Sequence, residues 1–282
     1  MNGQDLIAIT KRIESCPCMP AAAARLLELA EDPDCDAGQI ERILRTDPGL
    51  TANVLRLTNS AYYGLQSRVG SIRQAVVLLG LRRLGQGVIA SCLKGLMNDS
   101  VDGYGLPSGE LWRHAIASSV VAEGLVAELD LPVKDDVFTA ALVHDMGKLI
   151  LGRYVRREWE TIEEIVERGV PFQTAEHMVL GTDHAEVGSG LLARWAFPQE
   201  IVNAVRWHHD PDMAPATHPL IDIVHVTDVL CLMMGAGTGR EGLSYEPSRS
   251  VCARLGLVHG RLELVASKAI EWVDRLADSQ RM

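Results

Sequence analysis

Histidines and acidic residues recur in this sequence at spacings that could build a metal site. They are five of the nine histidines and three carboxylates: Glu110, His114, His144, Asp145, His184, His208, His209 and Asp228. Imidazole and carboxylate groups suit a borderline divalent ion such as iron, manganese or zinc. The set contains no cysteine, a common ligand of closed structural zinc sites. The pattern therefore predicts a divalent metal centre that is not a closed structural zinc site.

The spacing of these residues indicates two ions. Glu110 and His114 are four positions apart, so they share one face of a helix, and so do His144 and Lys148. Asp145 directly follows His144, so one turn could give an imidazole to one ion and a bridging carboxylate to the second. Two ions would activate a water near neutral pH and neutralise charge on a phosphoryl oxygen. This chemistry gives Asp145 and Lys148 catalytic roles, with Lys148 holding the substrate phosphate.

Each histidine also has an ordinary interpretation, because a histidine in an amphipathic helix is more often packed or solvated than metal-bound. His144 and Asp145 are exceptions, since they lie in the apolar run 138–151, where two buried ionisable groups are costly unless bound. His225 stands three positions before Asp228 on the same face, so it either orients a ligand or is a core histidine. Three others lack companions at ligand spacing and are predicted at the surface: His177, His218 and His259.

The elements that must position these residues are predicted to be helices almost throughout. Apolar residues recur at helical spacing, as in Leu50, Val54 and Leu57. Asp47 before Pro48 predicts a capped helix start, and the segment from Ser71 to Gln74 matches a capping box. Gly80 then predicts a helix stop. The predicted fold class is all-α.

A loop rich in Gly, Asp and Pro, residues 98–107, is the clearest internal boundary. Every predicted metal ligand lies beyond it, and Ser108 is predicted to open a helix that runs to Leu129. We predict an N-terminal helical subdomain over residues 1–97, packed on a C-terminal metal-binding helical bundle over residues 98–282. Spacing leaves open whether the two parts are separate domains or one continuous bundle.

Charge and composition limit the partners and the compartment. The 27 Lys and Arg against 37 Asp and Glu give a net charge of −10, which disfavours duplex nucleic acid but allows a small phosphorylated ligand in a local cationic pocket. Cys16-Pro17-Cys18 lacks a nearby base and is predicted to be an incidental turn. Residues 1–12 lack the apolar core of an export signal, and charged residues interrupt the longest apolar stretches. We expect a cytoplasmic protein without a membrane span.

Several motifs in the first half, between Ser15 and Leu96, are similar to one bacterial family. They are Met19-Pro20, Leu26-Leu27, the stretches 43–50 and 57–64, and the stretch 71–81. These motifs resemble the HDOD family of signalling output domains, which is related to the HD phosphohydrolase superfamily. The resemblance implies a helical fold and, for most members, binding of a partner with the metal site serving as structure or sensor.

The second half resembles the HD part of the same domain, with a ligand set similar to that of the HD-GYP phosphodiesterases. The resemblance implies two shells that share Asp145: His114, His144, Asp145 and Asp228 around one ion, and His184, His208 and His209 around the other, with Glu110 as an additional ligand. After His209 the chain reads Asp210-Pro211-Asp212, without the Glu and the downstream Gly-Tyr-Pro of those enzymes. Hydrolysis of cyclic-di-GMP is therefore not expected.

Two main functions remain open. The first is a bacterial signal-transduction output or interaction protein with a dinuclear HD-type site, which binds a signalling protein or a small phosphorylated ligand. The second is a metal-dependent phosphohydrolase, either a phosphodiesterase or a nucleotide phosphatase, that uses a metal-activated water. Nucleotide binding without turnover lies between them.

Overall fold

The structure is a computed structural model that describes most of the chain. The described residues are 8–9, 11, 13, 19, 21–30, 36–45, 47–59, 65, 68–133, 136–237, 239–240, 246–257 and 260–280. Among them helices dominate, and extended pairing is confined to one isolated bridge between Val101 and Leu106. The predicted all-α fold is therefore confirmed. Two predictions lie outside the described residues: the turn at Cys16-Pro17-Cys18 and the surface position of His259.

The chain contacts define two compact units, which we describe separately. The N-terminal unit comprises Cys18–Leu96 with Glu271–Met282, and the site unit comprises Met1–Pro17 with Met97–Ile270. The N-terminal unit therefore combines two segments that are far apart in the sequence. The packing of one part of the chain on the other stays a prediction.

Between Ala21 and Met97 the described residues form four helices: α1 (Ala21–Ala30), α2 (Ala37–Arg45), α3 (Pro48–Thr58) and α4 (Ile72–Met97). The predicted start at Asp47 is confirmed, because its side chain accepts a 2.9 Å hydrogen bond from the Leu50 amide. Ser71 likewise accepts a 3.2 Å hydrogen bond from the Gln74 amide. Both caps satisfy amide groups that the first helical turn leaves without partners.

Helix α4 is broken where the sequence predicts a stop. Gly80 has φ 81° and ψ 163°, so the helical path is interrupted there although helix resumes on both sides. Among the described helices, α4 is long and apolar enough to cross a membrane, by length and composition only. Its break at Gly80 and the burial of Leu84 and Val88 in the apolar core of this unit are typical of a core helix.

In the site unit, the described residues from Glu110 onward form ten more helices. They are α5 (Glu110–Leu129), α6 (Val137–Val143), α7 (Lys148–Arg157), α8 (Trp159–Glu167), α9 (Phe172–Leu180), α10 (His184–Arg194), α11 (Gln199–Trp207), α12 (Pro219–Met233), α13 (Arg249–Arg254) and α14 (Arg261–Gln280), whose C-terminal half belongs to the N-terminal unit. Helices α5, α6 and α12 pack against one another, α11 packs on α6 and α12, and α10 packs on α11 and α7. Helix α12 is buried on every side, from Leu220 to Leu232, so the polar residues it carries must find partners inside the protein.

The predicted start of α5 at Ser108 is wrong by two residues. The Ser108 hydroxyl donates a 2.6 Å hydrogen bond to the Asn98 carbonyl and does not cap the helix, which begins at Glu110 after Gly109 in a left-handed conformation (φ 84°). The predicted end at Leu129 is confirmed. The preceding loop folds back on itself through a short 3-10 turn, Asp102–Tyr104, which buries the Tyr104 side chain.

Candidate metal centre

Seven of the eight predicted ligands come together inside the site unit. His114 lies on α5 and Asp228 on α12, His144 and Asp145 occupy the turn after α6, His184 begins α10, and His208 and His209 follow the last residue of α11. They form three overlapping groups, His114/His144/Asp145, His144/His208/Asp228 and His184/His208/His209, and the ligand atoms of each group lie within 4.8 Å of one another. Helix ends therefore supply most of the cluster.

Three imidazoles are oriented by backbone carbonyls. His114 Nδ1 donates to the Ala236 carbonyl at 2.7 Å. His144 and His208 each donate from Nδ1 to a carbonyl three residues earlier in their own turn, at 2.8 and 2.7 Å. Since a carbonyl only accepts, Nδ1 carries the proton in all three rings, and in the neutral ring Nε2 presents a lone pair to the centre.

Two pairs of Nε2 atoms approach each other closely. His114 Nε2 lies 3.1 Å from His144 Nε2, and His184 Nε2 lies 2.8 Å from His209 Nε2. Two ring lone pairs at these distances repel unless a proton or a cation lies between them. A metal ion held by both rings of a pair would remove this repulsion, and so would a proton shared between the two nitrogens.

The two aspartates complete the arrangement. Asp145 Oδ2 lies 3.6 Å from His114 Nε2 and 3.5 Å from His144 Nε2, while its Oδ1 lies 3.5 Å from His184 Nε2. Asp228 Oδ1 lies 3.1 Å from His114 Nε2, and its Oδ2 lies 3.9 Å from His209 Nδ1. The carboxylate of Asp145 therefore faces both groups of imidazoles, as a bridging ligand would.

The unpaired buried atoms test whether a divalent ion fits. Asp145 Oδ1 and His208 Nε2 are both buried without a hydrogen-bond partner. An unsatisfied buried polar atom costs roughly 1–3 kcal/mol, and both atoms are lone-pair donors that metal coordination would satisfy. The residues present therefore fit divalent ions with nitrogen and oxygen ligands.

The surrounding charges keep the carboxylates ionised. Burial by itself raises the pKa of Asp145, but Lys148 and then His144 hold this pKa well below its usual range. Burial likewise opposes ionisation of Asp228, yet the neighbouring imidazoles of His114 and then His144 hold its pKa well below the usual range. Both aspartates are therefore available as anionic ligands.

The histidines divide into two electrostatic classes. Burial, reinforced by His144, lowers the pKa of His208 to about 3, and burial with His208 lowers that of His209 well below its usual value. Burial also disfavours the charged form of His184, but the carboxylate of Glu176 outweighs it and raises the pKa of His184 to about 9. The tandem histidines are thus neutral, as metal ligands must be, whereas nearby carboxylates raise the pKa of His184 and, through Asp145, that of His144.

Lys148 lies beside the cluster. Its ammonium donates a 2.7 Å hydrogen bond to Asp145 Oδ2 and stands 5.4 Å from the centroid of the Tyr104 ring. The side chain is only 4% exposed, so the charge is enclosed with the ligands. Its role as a phosphate-binding group stays a prediction.

Glu110 is the predicted ligand that does not join the cluster. Its carboxylate accepts hydrogen bonds from the Arg113 guanidinium at 2.7 to 3.1 Å, and Arg113 also donates to the Gly235 carbonyl at 2.8 Å. This pairing directs Glu110 along the surface of α5. Its role as an additional ligand stays a prediction that the contacts of Glu110 do not support.

The remaining histidines serve other contacts. His225 Nδ1 donates to the backbone carbonyl of His208 at 2.7 Å, and His225 Nε2 accepts from the Ser248 amide at 2.9 Å, so His225 supports the turn that carries the tandem histidines. The side chain of His177 is 53% exposed, in agreement with its predicted surface position, and lies 3.5 Å from Asp183. His218 is partly exposed and accepts a hydrogen bond from the Leu220 amide at the start of α12.

Sequence reasoning missed two buried residues next to the centre. Glu176 on α9 accepts a 2.6 Å hydrogen bond from His184 Nδ1, and Tyr104 donates a short hydrogen bond to the other oxygen of Glu176. Both side chains are fully buried. No spacing rule connects Tyr104 with a residue 72 positions later, although a buried Glu next to His177 in an apolar helix is a signal worth weighing.

Gly147 lies where only a hydrogen fits. A Cβ added there would stand 1.9 Å from the His184 carbonyl oxygen and 2.7 Å from the Gly188 amide nitrogen. We expect Gly147→Ala to destabilise the protein by about 3 kcal/mol, because two backbone segments would have to separate. Chemical denaturation measures this difference. Gly95→Ala is the control, since nothing lies within 4 Å of its Cβ position and the helix should gain up to ~1 kcal/mol. Equal stability of Gly147→Ala and the wild type would contradict this account.

A family model for the HDOD domain matches residues 16–211 of this chain. A curated protein of Treponema pallidum (strain Nichols), described as uncharacterized, is 30% identical over 220 residues, which are 77% of this chain and 42% of that protein. The chain thus spans about two fifths of the length of that relative.

Solved structures share the fold. An HDOD domain protein of unknown function from Geobacter sulfurreducens superposes with a TM-score of 0.76 at 24% identity, covering 97% of both chains. A protein from Shewanella amazonensis SB2B, described as a candidate phosphohydrolase, superposes with a TM-score of 0.69 at 24% identity, covering 95% of this chain and 98% of that one. At these identities the likeness shows the common helical fold.

Proposed function

Because the chain belongs to the HDOD family, we propose that it is a signal-transduction interaction module built around a dinuclear metal centre. The observation that carries this proposal is the enclosure of the ligand cluster. The side chains of His114, Asp145 and Asp228 are at most 4% exposed, and the most exposed ligand, His209, reaches only 7%. A cluster enclosed in this way suits ions that stabilise a binding surface better than it suits entry of a bulky diester.

The ions would join elements that are far apart in sequence. His114, His144, Asp145 and Asp228 would hold one ion, and His184, His208 and His209 would hold the other, with Asp145 shared. These residues come from α5, α10, α12 and the turns after α6 and α11. Two divalent ions, which we propose to be iron, manganese or zinc, would therefore stabilise the arrangement of five segments and, through it, the surface that a partner binds.

The proposed partner is a signalling protein in a bacterial cytoplasm. The test compares binding of a candidate partner to the metal-loaded full chain and to the Asp145→Ala variant. Metal-dependent binding, together with two equivalents of metal in the wild type, supports the proposal. Partner binding that is equal with and without metal would contradict it.

The alternative is a metal-dependent phosphohydrolase, and the position of Lys148 favours it. The Lys148 ammonium touches Asp145, so it could hold a non-bridging phosphate oxygen beside the ions. Divalent ions, when bound, would neutralise charge on the phosphoryl oxygen. Asp145 and the imidazoles would hold these ions and fix their positions.

In the hydrolase alternative, Lys148→Met is expected to lower turnover roughly 100-fold, because the cation that stabilises the developing phosphoryl charge is lost. Metal content should stay at the wild-type value, since Lys148 donates to Asp145 and does not supply a lone pair. Activity assays with added manganese or iron on phosphoesters, nucleotides and cyclic dinucleotides make the measurement. If the metal-loaded wild type turns over none of them, the hydrolase alternative fails and the interaction module stands.

A further inference from the structure

We propose that Glu176, held by Tyr104, is a positioning residue that orients His184 toward its ion. Its loss would therefore weaken binding of the ion held by His184, His208 and His209 (the His184 half) more than binding of the ion held by His114, His144 and Asp228 (the His114 half). This inference rests on the dinuclear centre proposed above. It concerns two residues outside the ligand set, Glu176 and Tyr104. It predicts that the affinity for one of the two ions depends on these residues more than the affinity for the other does.

The first argument is the geometry around Glu176. One carboxylate oxygen, Oε2, accepts from His184 Nδ1 at 2.6 Å and from the His184 backbone amide at 3.2 Å. The other, Oε1, accepts from the Tyr104 hydroxyl. Glu176 is fully buried, and burial of a carboxylate is costly unless donors of this kind surround it. One oxygen of Glu176 thus orients His184, and the other binds the Tyr104 hydroxyl.

The second argument is the contrast with the other oriented imidazoles. His114, His144 and His208 donate from Nδ1 to neutral backbone carbonyls, whereas His184 donates to the side-chain carboxylate of Glu176. Hydrogen bonds to an ionised acceptor are about twice as strong as those between neutral groups. A carboxylate partner also raises the basicity of the imidazole, so Nε2 becomes a better metal ligand. The orientation of His184 is therefore expected to depend on a side chain, whereas backbone carbonyls orient the other three rings.

The third argument is that Tyr104 is itself fixed in place. Its carbonyl oxygen accepts a 2.7 Å hydrogen bond from the Arg240 amide, and the Arg240 guanidinium lies 4.1 Å from the centre of the Trp159 ring. Before it, Gly103 packs so closely on α7 that an added Cβ would stand 1.9 Å from the Gly152 carbonyl oxygen. Contacts on both sides thus fix the position of Tyr104, whose hydroxyl donates to Glu176. Tyr104 lies in the loop 98–107, which the sequence predicted only as an internal boundary.

The test replaces the carboxylate of Glu176 with an amide of nearly the same size and shape. In Glu176→Gln, the affinity of the His184 half for Mn²⁺ or Zn²⁺ is expected to fall about 10–100-fold, the usual effect of losing such an outer partner. After dialysis against a competing chelator, the wild type should retain two ions and Glu176→Gln one. Glu163→Gln is the matched control, because the same substitution falls on the exposed face of the neighbouring helix α8. It should retain both ions.

A second variant identifies the ion that is lost. His114→Ala should retain one ion, in the His184 half, and adding Glu176→Gln to it should remove that ion as well. Tyr104→Phe should weaken the same half by roughly 10-fold, because Glu176 loses one donor. Tyr104→Phe decides the matter if Glu176→Gln does not fold.

The outcomes separate this inference from the proposed function. A wild type that binds no ions contradicts the dinuclear centre itself. Two ions in the wild type with unchanged affinities in Glu176→Gln and Tyr104→Phe overturn the inference and leave the centre intact. Equal weakening of both ions, with a lower melting temperature of the metal-free protein, would indicate a purely structural role and would also overturn it.

Discussion

The Asp145→Ala variant is expected to retain almost no metal, whereas the wild type should carry about two ions per chain. Asp145 is the residue that faces both groups of imidazoles, with Oδ2 toward His114 and His144 and Oδ1 toward His184. Its removal would take a ligand from each ion at once. It would also leave the buried ammonium of Lys148 without its 2.7 Å partner, which would add positive charge close to both ions.

Elemental analysis of protein purified without chelators measures the metal content. His218→Ala is the control, because the His218 side chain is partly exposed and belongs to none of the groups of His and carboxylate residues whose ligand atoms lie within 4.8 Å of one another. It should bind as much metal as the wild type. Retention of both ions by Asp145→Ala would show that the carboxylate does not bridge, and less than a tenth of an equivalent in the wild type would contradict the centre.

Removal of the metal is expected to lower the melting temperature by about 10 °C. Ions that bind only the folded state stabilise it by roughly 4 kcal/mol when the free metal stands at a thousandfold excess over the dissociation constant. For a domain of this size, each kcal/mol corresponds to a shift of roughly 2–4 °C. The buried atoms Asp145 Oδ1 and His208 Nε2 would also lose the coordination that satisfies them.

Scanning calorimetry with and without EDTA measures this shift, and readdition of manganese or zinc should restore the higher value. The matched control is Asp145→Ala, in which EDTA should have little effect because little metal is bound. An EDTA effect of equal size in the wild type and in Asp145→Ala would point to a site elsewhere in the chain. A wild type unaffected by EDTA would contradict the proposed role of the ions in stability.

The sequence by itself determined the local features of this protein. Helical periodicity predicted the all-α fold, the caps at Asp47 and Ser71 follow from residue types three positions apart, and Gly80 breaks its helix where predicted. The adjacency of His144 and Asp145 in an apolar run also indicated a buried cluster before any contact was known. Each of these depends on residues within about one helical turn, where the backbone geometry is the same in every helix.

The tertiary structure decided which groups meet and which do not. Glu110 has the same four-residue spacing to His114 that suggested a shared site, yet Arg113 holds its carboxylate. Ser108 has the residue type of a cap, but it donates to Asn98 instead. The Asn98 carbonyl comes within reach of Ser108 only in the folded chain, whereas Arg113 is one helical turn from Glu110 and is itself held by the distant Gly235 carbonyl. In both cases a rule based on spacing or residue type predicted the wrong contact.

The residues around the ligands were hidden for the same reason. Tyr104, Glu176 and Ala236 belong to a loop, to α9 and to the segment after α12, and each contacts the centre across a helix interface. Gly147 is required because the backbone at His184 passes directly over it. Periodicity shows which face of a helix is buried, but the partner across an interface depends on how the helices pack, and packing is a property of the whole chain.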